Sequence, residues 1–366
     1  MKSHESLFTA AIESAHIFDN AVREVSQTSG LLSALTHFQT VEDVVRRLAF
    51  RPERTAQVLH LLKVLVATGA AEEREVNGRK VYRAVKQPAA SMPERYQPKY
   101  DHLSSWYGEG HAELIRNGNK SMLGDDLSFL RSSSAAIQFN REYELAWRTN
   151  LQNPLYEFGR MVAVRELASR GHRFLDLACG PGFGAQRLAE FSEHPATIVC
   201  VDKSTDFLAI ARTNMYPQAS VTFIERDLNT GLPPVAPGSF DGVLFNGAFH
   251  FMKDQPARLR EIWRALRPGG AFVLGHCFSY SGFADEAMHD FYFSLLEDKA
   301  YVLPWATLND LVTEVGFVIF KELHRGSHSY LIAERPIGAV EASTQTEFTD
   351  LTGQVKVLGG KACDGS

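Results

Sequence analysis

The sequence predicts an α/β protein in which a mostly parallel sheet follows a smaller, mainly helical domain. Three observations lead to this fold class. Short apolar strands alternate with helical segments from residue 173 to residue 336, as a parallel sheet with crossover helices requires. A glycine-rich loop follows the first of these strands. Residues 1–85 instead combine helical segments with one β-hairpin.

Length and composition agree with this fold class. A chain of 366 residues suggests two domains, because one domain usually takes about 150 residues. Hydrophobic residues make up 45% and charged residues 22%, which excludes a disordered, collagen-like or disulfide-scaffold protein. The 38 basic and 43 acidic side chains leave a formal charge of -5, so we expect no surface built for nucleic-acid phosphates.

We expect a cytoplasmic protein without a structural metal. The sequence has no run of about 18 consecutive apolar residues and no basic start followed by an apolar segment, so neither a membrane span nor a secretory signal is expected. Four cysteines lie far apart and form no CxxC pair, which predicts reduced thiols rather than disulfides or a zinc site: Cys179, Cys200, Cys277 and Cys363.

Residues 1–100 are expected to form a winged-helix domain and a proline-containing linker. Apolar residues recur at helical spacing over 15–25 and 53–67. The run from Thr40 to Asp43 has the form of a helix N-terminal cap, and Asn77-Gly78 is a strong hairpin turn signal. Helices followed by a hairpin are typical of a winged helix.

A winged helix binds DNA or pairs two subunits. Residues 1–85 hold 11 basic against 10 acidic side chains, and the segment 53–67 is mostly leucine and valine beyond its first turn. We therefore expect a homodimer interface rather than DNA recognition. The rest of the chain is expected to comprise a helical connector or substrate lid (101–170), a ligand-binding domain (171–336) and a loosely packed extension (337–366).

Seven strands are expected in the ligand-binding domain. Five carry short apolar runs separated by helices, and two more form a closing antiparallel pair. In order they cover residues 174–178, 197–202, 221–224, 240–245, 271–274, 317–322 and 329–334.

The sharpest motif is Asp-Leu-Ala-Cys-Gly-Pro-Gly-Phe-Gly at residues 176–184, between the first strand and a helix. Glycines such as Gly180 and Gly182 let the backbone approach a ligand closely and turn into the helix. Three acids accompany the loop, one inside the first strand and one at the end of each of the next two: Asp176, Asp202 and Asp227.

These acids favour S-adenosylmethionine over a nicotinamide dinucleotide. An acid at the end of the second strand, here Asp202, binds a ribose diol in either cofactor. A dinucleotide places its pyrophosphate on the loop, and Asp176 would repel that phosphate but attract the amine of a methionine group. Asp227 suits the exocyclic amine of adenine.

The chain resembles the class I S-adenosylmethionine-dependent methyltransferases over residues 173–335, on the segments DLACGPGFG, VCVD, ERDL, FDGVLFNGAFHF and LRPGGAFVL in family order. The resemblance implies a Rossmann-like domain. It also implies that Asp202 binds the ribose, that Asp227 and Leu228 flank the adenine, and that the loop from Ala178 to Gly182 holds the methionine end. With the helical domain, it extends to small-molecule methyltransferases that dimerise through a winged helix.

The methyl acceptor is expected beyond the fourth strand, because that end of a parallel strand faces the reaction centre. Asn246 ends the strand and is a candidate contact for both cofactor and substrate, and Phe249 for the substrate. His250 is the first candidate for a general base or a substrate hydrogen-bond donor. His276, after the fifth strand, is the rival base.

Aromatic residues complete the expected pocket. Tyr143 and Trp147 are four residues apart and share one helix face. In one interpretation their rings line the methyl-transfer chamber and act in catalysis by stabilising a cation there. In the other they form a stripe of core residues. Tyr301 is expected to close the far side.

Across residues 7–335 the chain is similar to the S-methyltransferases of dimethylsulfoniopropionate (DMSP) synthesis, in segments 15–21, 121–129 and 147–150 among others. That resemblance implies 4-methylthio-2-hydroxybutyrate as acceptor, with His250 orienting the substrate without removing a proton. Two alternatives stay open: an O- or C-methyltransferase with His250 or His276 as base, and a winged-helix DNA-binding regulator.

Overall fold

A computed structural model of the chain describes residues 17–86, 110, 112–113, 117, 120, 123–124, 126–133, 137–152, 154–215, 219–277, 283–325, 328–337, 345–349 and 355–359. The chain divides into two compact units, Met1–Leu155 with Ser281–Lys299, and Tyr156–Tyr280 with Ala300–Ser366. Residues 87–100, which include most of the expected linker, lie outside the described residues. No helix among the described residues is long and apolar enough to cross a membrane.

The first unit contains most of the N-terminal helices and a hairpin. Its elements up to residue 155 are α1 (Ile17–Thr28), α2 (Leu31–Ala34), α3 (Val41–Arg47), α4 (Thr55–Ala67), β1 (Ala71–Val76), β2 (Arg79–Ala84) and α5 (Glu144–Leu151), with short 3-10 turns at Pro52–Arg54, Ser128–Arg131 and Arg141–Tyr143.

Local sequence signals explain these elements. Thr40 and Asp43 form the expected capping box at the start of α3, each side chain bonding the backbone of the other. Asn77 and Gly78 both have positive φ, 52° and 73°, which is the backbone of the type I′ turn that joins β1 to β2. The helices and the hairpin therefore follow one another in the expected order.

The second unit contains the sheet. Its elements are α6 (Pro154–Ala168), β3 (Arg173–Leu177), α7 (Phe183–Phe191), β4 (Thr197–Asp202), α8 (Thr205–Asn214), β5 (Ser220–Glu225), β6 (Phe240–Asn246), α9 (Gln255–Ala265), β7 (Leu266–Cys277), α11 (Trp305–Glu314), β8 (Val318–Arg325), β9 (His328–Glu334), β10 (Gln345–Thr349) and β11 (Val355–Gly359). One further helix, α10 (Phe283–Leu295), lies between β7 and α11 in sequence and belongs to the first unit.

The expected division of the chain differs from these units at two places. We expected residues 101–170 to form a separate connector, but most of α6 packs with the sheet through buried residues such as Val164 and Leu167. We expected residues 171–336 to form one domain, but α10 packs on α4. Neither difference has a local sequence signal, because apolar spacing shows that a helix buries one face and not which element covers it.

The sheet has the order β11-β10-β8-β9-β7-β6-β3-β4-β5. Its seven expected strands are all present, with β3 to β7 parallel and β9 antiparallel to both β7 and β8. β3, β6 and β7 are largely buried, as strands covered on both faces must be. From β3 the sheet extends through β4 and β5 on one side and through β6 and β7 on the other, and this change of side predicts a ligand crevice at the carboxyl ends of these strands.

Two strands lie in the segment that we expected to be a loosely packed extension. β10 pairs in parallel with β8, and β11 pairs with β10. The sheet among the described residues therefore has nine strands rather than seven. Weak periodicity hid these strands, because an edge strand receives its pairing from a neighbour rather than from an apolar face of its own.

Asp241 connects the beginnings of three neighbouring strands. Its Oδ2 accepts hydrogen bonds from the amides of His172 and Arg173, and its Oδ1 accepts one from Arg267 Nε at 2.6 Å. Residues 267–270 bulge opposite Asp241, where the register of β6 and β7 shifts. Burial raises the pKa of Asp241, but the hydrogen bonds of Arg267 and the two amides outweigh it and hold the pKa below its usual value.

Replacing Asp241 with Asn is expected to reduce the free energy of unfolding at pH 7 by about 1–3 kcal/mol, because charge-assisted hydrogen bonds are lost. A carboxyl whose pKa is lowered by folding stabilises the protein above its unfolded pKa and loses this effect as pH falls. The difference between wild type and D241N should therefore shrink below about pH 4. Thermal unfolding at a series of pH values measures this difference, with D310N, a change at an exposed residue, as the control. Equal losses of unfolding free energy in both variants would contradict the role given to Asp241.

Candidate active site

The glycine loop joins β3 to α7 at the carboxyl end of the sheet. Three of its residues adopt positive φ: Ala178 at 51°, Gly180 at 53° and Gly182 at 85°. A Cβ added at Gly180 would meet nothing within 4 Å among the described residues, so the backbone there is open to a ligand. A Cβ at Gly182 would come within 2.7 Å of Met215, so the loop packs closely on α8 at that point.

Asp202, at the end of β4, is fixed by two backbone amides. Its Oδ2 accepts a hydrogen bond from Gly180 N at 2.9 Å, and its Oδ1 accepts one from Ser204 N at 2.8 Å. The residue is only 7% exposed, and burial raises its pKa against the opposing effect of those amides. Each carboxylate oxygen has a second lone pair, which a diol can use. Asp202 is therefore bonded to the glycine loop, and its role in binding a ribose stays a prediction.

Two buried acceptors lie at the carboxyl ends of neighbouring strands. Asp176 is 2% exposed and Asn246 is half-buried. Oδ2 of Asp176 and Oδ1 of Asn246 are buried and have no hydrogen-bond partner among the described residues. Leaving such an atom unpaired costs about 1–3 kcal/mol. A ligand that carries several N–H donors would remove this cost.

The charge of Asp176 depends on its surroundings. Burial raises its pKa to about 7, against the opposing hydrogen bond of the Ala185 amide and the positive charge of Arg160. Near pH 7 both the neutral and the ionised form of this carboxyl are therefore populated, whereas an exposed Asp would be fully ionised. An ammonium group placed beside it would favour the ionised form.

Asp227 and Leu228 follow β5 in a 3-10 turn. Asp227 is exposed, and its Oδ1 accepts a hydrogen bond from Asn229 N at 2.9 Å. Leu228 is buried, and its carbonyl accepts a hydrogen bond from Arg258 Nη1 at 3.1 Å. The structure thus places an exposed acid next to a buried apolar side chain, a combination that can receive the polar edge and the apolar face of a purine.

The turn after β6 carries His250. Phe249, His250 and Phe251 form a 3-10 turn, and all three are buried. The Phe249 ring packs edge-on against Phe245, with centroids 5.4 Å apart. The carbonyl of His250 accepts a hydrogen bond from Tyr301 N at 2.6 Å, which joins the turn to the Tyr301 segment; closure of the pocket by Tyr301 stays a prediction.

Gln255 is a residue of this site that sequence reasoning missed. It is 5% exposed, and its Nε2 donates to the carbonyl of Tyr301 at 2.8 Å. Tyr301 is therefore held through both its amide and its carbonyl. A glutamine at the first position of a helix carries no signal of such a role, because its partner lies 46 residues later in the chain.

Gly275 is a second missed residue. A Cβ on Gly275 would lie 2.1 Å from Asn246 Oδ1 and 2.5 Å from the ring of Tyr330. The glycine therefore makes room for the amide of Asn246 on the neighbouring strand. The Gly in Val-Leu-Gly-His is visible in the sequence, but only strand pairing shows what occupies the space of its side chain.

Tyr143 and Trp147 belong to the other unit. Trp147 is 5% exposed, its Nε1 donates to the carbonyl of Gln138 at 2.7 Å, and its ring stacks on Phe139 with centroids 4.8 Å apart. Tyr143 is half-buried, and burial raises its pKa. These contacts agree with the core-stripe alternative for Trp147, and the catalytic role of both residues stays a prediction. The side chain of His276 lies outside the described residues.

Residues 175–274 match the family described as a methyltransferase domain. A trans-aconitate 2-methyltransferase from Deinococcus radiodurans is 30% identical over 154 residues, which cover 42% of this chain and 50% of the relative. A 2-phytyl-1,4-naphtoquinone methyltransferase from Nostoc punctiforme is 31% identical over 118 residues, 31% of this chain and 50% of the relative. The chain spans about half the length of these curated relatives.

Two solved structures resemble most of the chain. The CMeT domain of the citrinin polyketide synthase has a TM-score of 0.63 at 16% identity and covers 88% of this chain and 89% of its own. The DszA carbon methyltransferase has a TM-score of 0.61 at 16% identity and covers 92% of each chain. At this level of identity they establish a shared fold.

Over residues 175–274 the chain therefore resembles a methyltransferase domain, and its sheet has the Rossmann-like fold of such domains, which use S-adenosylmethionine. The residues present fit this cofactor. The unpaired acceptors Asp176 and Asn246 suit a primary ammonium group, and the open backbone at Gly180 lies next to the fixed carboxylate of Asp202. Among the described residues, no group of three or more His, Cys, Asp or Glu side chains is placed to hold a metal ion.

Replacing Asp176 with Asn is expected to stabilise the protein while weakening the binding of S-adenosylhomocysteine. A carboxyl whose pKa is raised by folding lowers the stability progressively as pH rises from its unfolded pKa near 4 to its folded pKa, here about 7, and by a constant amount above that. D176N should therefore raise the free energy of unfolding at pH 8 by up to about 4 kcal/mol, and by much less at pH 5. Thermal unfolding and calorimetric titration at both pH values measure these effects; a variant that binds as wild type does would contradict the assignment.

Proposed function

We propose that this chain transfers a methyl group from S-adenosylmethionine to a small carboxylic acid. The observation that carries the proposal is the buried, unpaired carboxylate oxygen of Asp176 beside the glycine loop. A diphosphate in that place would meet negative charge, whereas the cationic methionine end of S-adenosylmethionine would be attracted. The name of the relative from Deinococcus radiodurans, a trans-aconitate methyltransferase, supports a small acid as acceptor.

Each part of the cofactor has a proposed partner. Asp202 would bind the ribose hydroxyls while the Gly180 amide keeps its carboxylate oriented. Asp227 would accept from the amine of adenine, with Leu228 against the ring. Asp176 and Asn246 would accept from the ammonium of the methionine group, which gives the two unpaired buried oxygens their donors.

For the acceptor we propose the thioether sulfur of 4-methylthio-2-hydroxybutyrate, the reaction of DMSP synthesis. The turn that carries His250 supports this choice because both its neighbours are buried phenylalanines, so the expected reaction centre is apolar. A neutral thioether tolerates an apolar pocket and needs no base, since its lone pair attacks directly. Asn246 and His250 supply polar groups for the hydroxyl and carboxylate of such an acid.

The chain would act by positioning and by excluding water. When bound, S-adenosylmethionine supplies a methyl group on a positively charged sulfur. The acceptor sulfur must lie in line with that methyl carbon, so that its new S–C bond forms as the donor's S–C bond breaks. The fixed Tyr301 segment and the buried turn at residues 249–251 would keep the acceptor in place and dry.

An O- or C-methyltransferase is the second candidate, because His250 is a titratable group at the expected reaction centre and is only 3% exposed. In that enzyme His250 would remove a proton from a hydroxyl or an acidic carbon. The two candidates differ in whether a base is needed, and the same residue decides between them.

For the first unit we propose a winged-helix dimerisation role rather than DNA binding. The helix α4, which would be the recognition helix, packs against α10 of its own chain. Gln57 Nε2 donates to the carbonyl of Ser294 at 3.3 Å, and His60 Nδ1 lies 3.6 Å from Asp290 Oδ2. A helix covered along this face cannot also lie in a major groove with that face.

The acceptor is identified by incubating the protein with S-adenosylmethionine and a panel of thioether, hydroxy and keto acids, followed by mass spectrometry for a gain of one methyl group. We expect the thioether hydroxy acid to gain the methyl and become a sulfonium. Methylation of hydroxyl or carbon acceptors only would replace the sulfur assignment with the second candidate.

Replacing His250 with Gln separates the two candidates quantitatively. For a thioether acceptor we expect the rate to fall by less than about tenfold, since no proton is removed, whereas loss of a general base costs about 10²- to 10⁴-fold. Initial rates under saturating cofactor measure the effect, and exposed H194Q is the matched control. A loss of a thousandfold with the thioether acid would show that His250 does more than orient it.

A further inference from the structure

A row of charged side chains runs between α6 and α7, next to the glycine loop. Arg160 on α6 is 2% exposed, and its Nη1 donates to Glu157 Oε2 at 2.8 Å. The other oxygen of Glu157 accepts from Arg187 Nε on α7, also at 2.8 Å. Glu157 is therefore shared by two guanidinium groups, of which Arg160 is buried and Arg187 is partly exposed.

The buried end of this row meets the first turn of α7, and Asp176 of β3 packs against the same turn. The guanidinium carbon of Arg160 is 5.5 Å from the centre of the Phe183 ring. Asp176 receives a hydrogen bond from the Ala185 amide, and a Cβ on Gly184 would lie 3.0 Å from Asp176 Oδ2. Arg160 and Asp176 thus flank three consecutive residues of one helical turn.

We propose that Arg160, anchored by Glu157, is a positioning residue that keeps Asp176 ionised for the ammonium group of the methyl donor. This inference rests on the proposed function and deepens it at the same site. Burial by itself favours the neutral carboxylic acid, which would compete with an ammonium as a donor instead of attracting it. A buried arginine keeps its charge, so it can offset the burial of Asp176 at any pH.

The other groups around Asp176 do not supply this charge. Asp202, from β4, carries the same sign and raises the pKa of Asp176. The thiol of Cys179, in the loop, is neutral because its hydrogen bond with Cys200 and its burial raise its pKa well above the usual range. Cys200 itself pairs with Asp176 across the sheet. From α7 comes only the Ala185 amide, which is uncharged.

The test compares two nucleosides that differ in the amino acid. S-adenosylhomocysteine carries the ammonium group, and 5′-methylthioadenosine lacks it. For the full-length wild-type chain, calorimetric titration should show affinity for S-adenosylhomocysteine falling as pH drops through about 7. In R160M that fall should move to higher pH, and a rise of one pKa unit would weaken binding about fivefold at pH 7 and about ninefold at pH 6. Affinity for 5′-methylthioadenosine should change less than about twofold in either protein.

Three further variants make the result specific. R160K, which keeps the charge, should restore most of the wild-type pH midpoint. R187M removes an equal charge from the exposed side of Glu157 and should move the midpoint much less. E157Q removes a negative charge but keeps an acceptor for Arg160, and should move the midpoint to lower pH, which provides a test of opposite sign even if R160M does not fold.

Two results would overturn the inference. Equal losses of affinity for both nucleosides in R160M would mean that Arg160 only supports the fold of the loop. An unchanged pH midpoint in R160M and E157Q would mean that the row does not set the charge of Asp176. Both results leave the proposed function intact, whereas a wild-type chain that binds neither nucleoside would remove the proposed function together with the inference.

Discussion

The hydrogen bond from the Gly180 amide to the Asp202 carboxylate ties the end of β3 to the end of β4. Gly180 adopts a positive φ, and the space where its Cβ would stand is open, so the backbone beside this hydrogen bond is accessible to a ligand. The same loop leads into α7, whose first residues lie against Asp176. The cofactor contacts proposed for Asp176 and Asp202 would therefore both depend on the conformation of this short loop.

Burial of charge is the main energetic cost of this arrangement. Asp176, Asp202, Glu157 and Arg160 are all less than a tenth exposed. The two backbone amides bonded to Asp202 and the salt bridge between Glu157 and Arg160 offset part of that cost. Asp176 is the exception, since one of its oxygens has no partner among the described residues. A binding site that stays partly unsatisfied until its ligand arrives gains affinity from the donors that the ligand provides.

Sulfur and oxygen or carbon acceptors place different demands on the turn after β6. A thioether needs only alignment and dryness, so the phenylalanines around His250 would be sufficient. An acidic acceptor needs a base at the same point, and in the second proposed reaction His250 would be that base. Similarity to the citrinin polyketide synthase CMeT domain and to the DszA carbon methyltransferase extends over most of the chain, but it describes the path of the backbone and not the chemistry of this turn.

Seven strands along the chain, the glycine loop and the three acids that accompany it were predictable from the amino-acid sequence alone. These features follow from local rules: apolar runs, glycines at positive φ, and polar residues where buried strands end. The capping box at Thr40 and the turn at Asn77-Gly78 were predictable for the same reason, since both depend on contacts within a few residues. Residues that act through such short-range contacts are visible in a linear pattern.

Which distant segments of the chain meet became visible in the three-dimensional structure. No sequence periodicity relates Gln255 to Tyr301, or Gly275 to the side chain of Asn246 for which it leaves space. The same holds for Arg160 and the Phe183 ring in the first turn of α7. The packing of α10 on α4 is a further contact of this kind. So is the pairing of β10 with β8 and of β11 with β10. Burial and pairing set these contacts, and both depend on the whole chain because an apolar face or a strand edge accepts any partner of suitable shape.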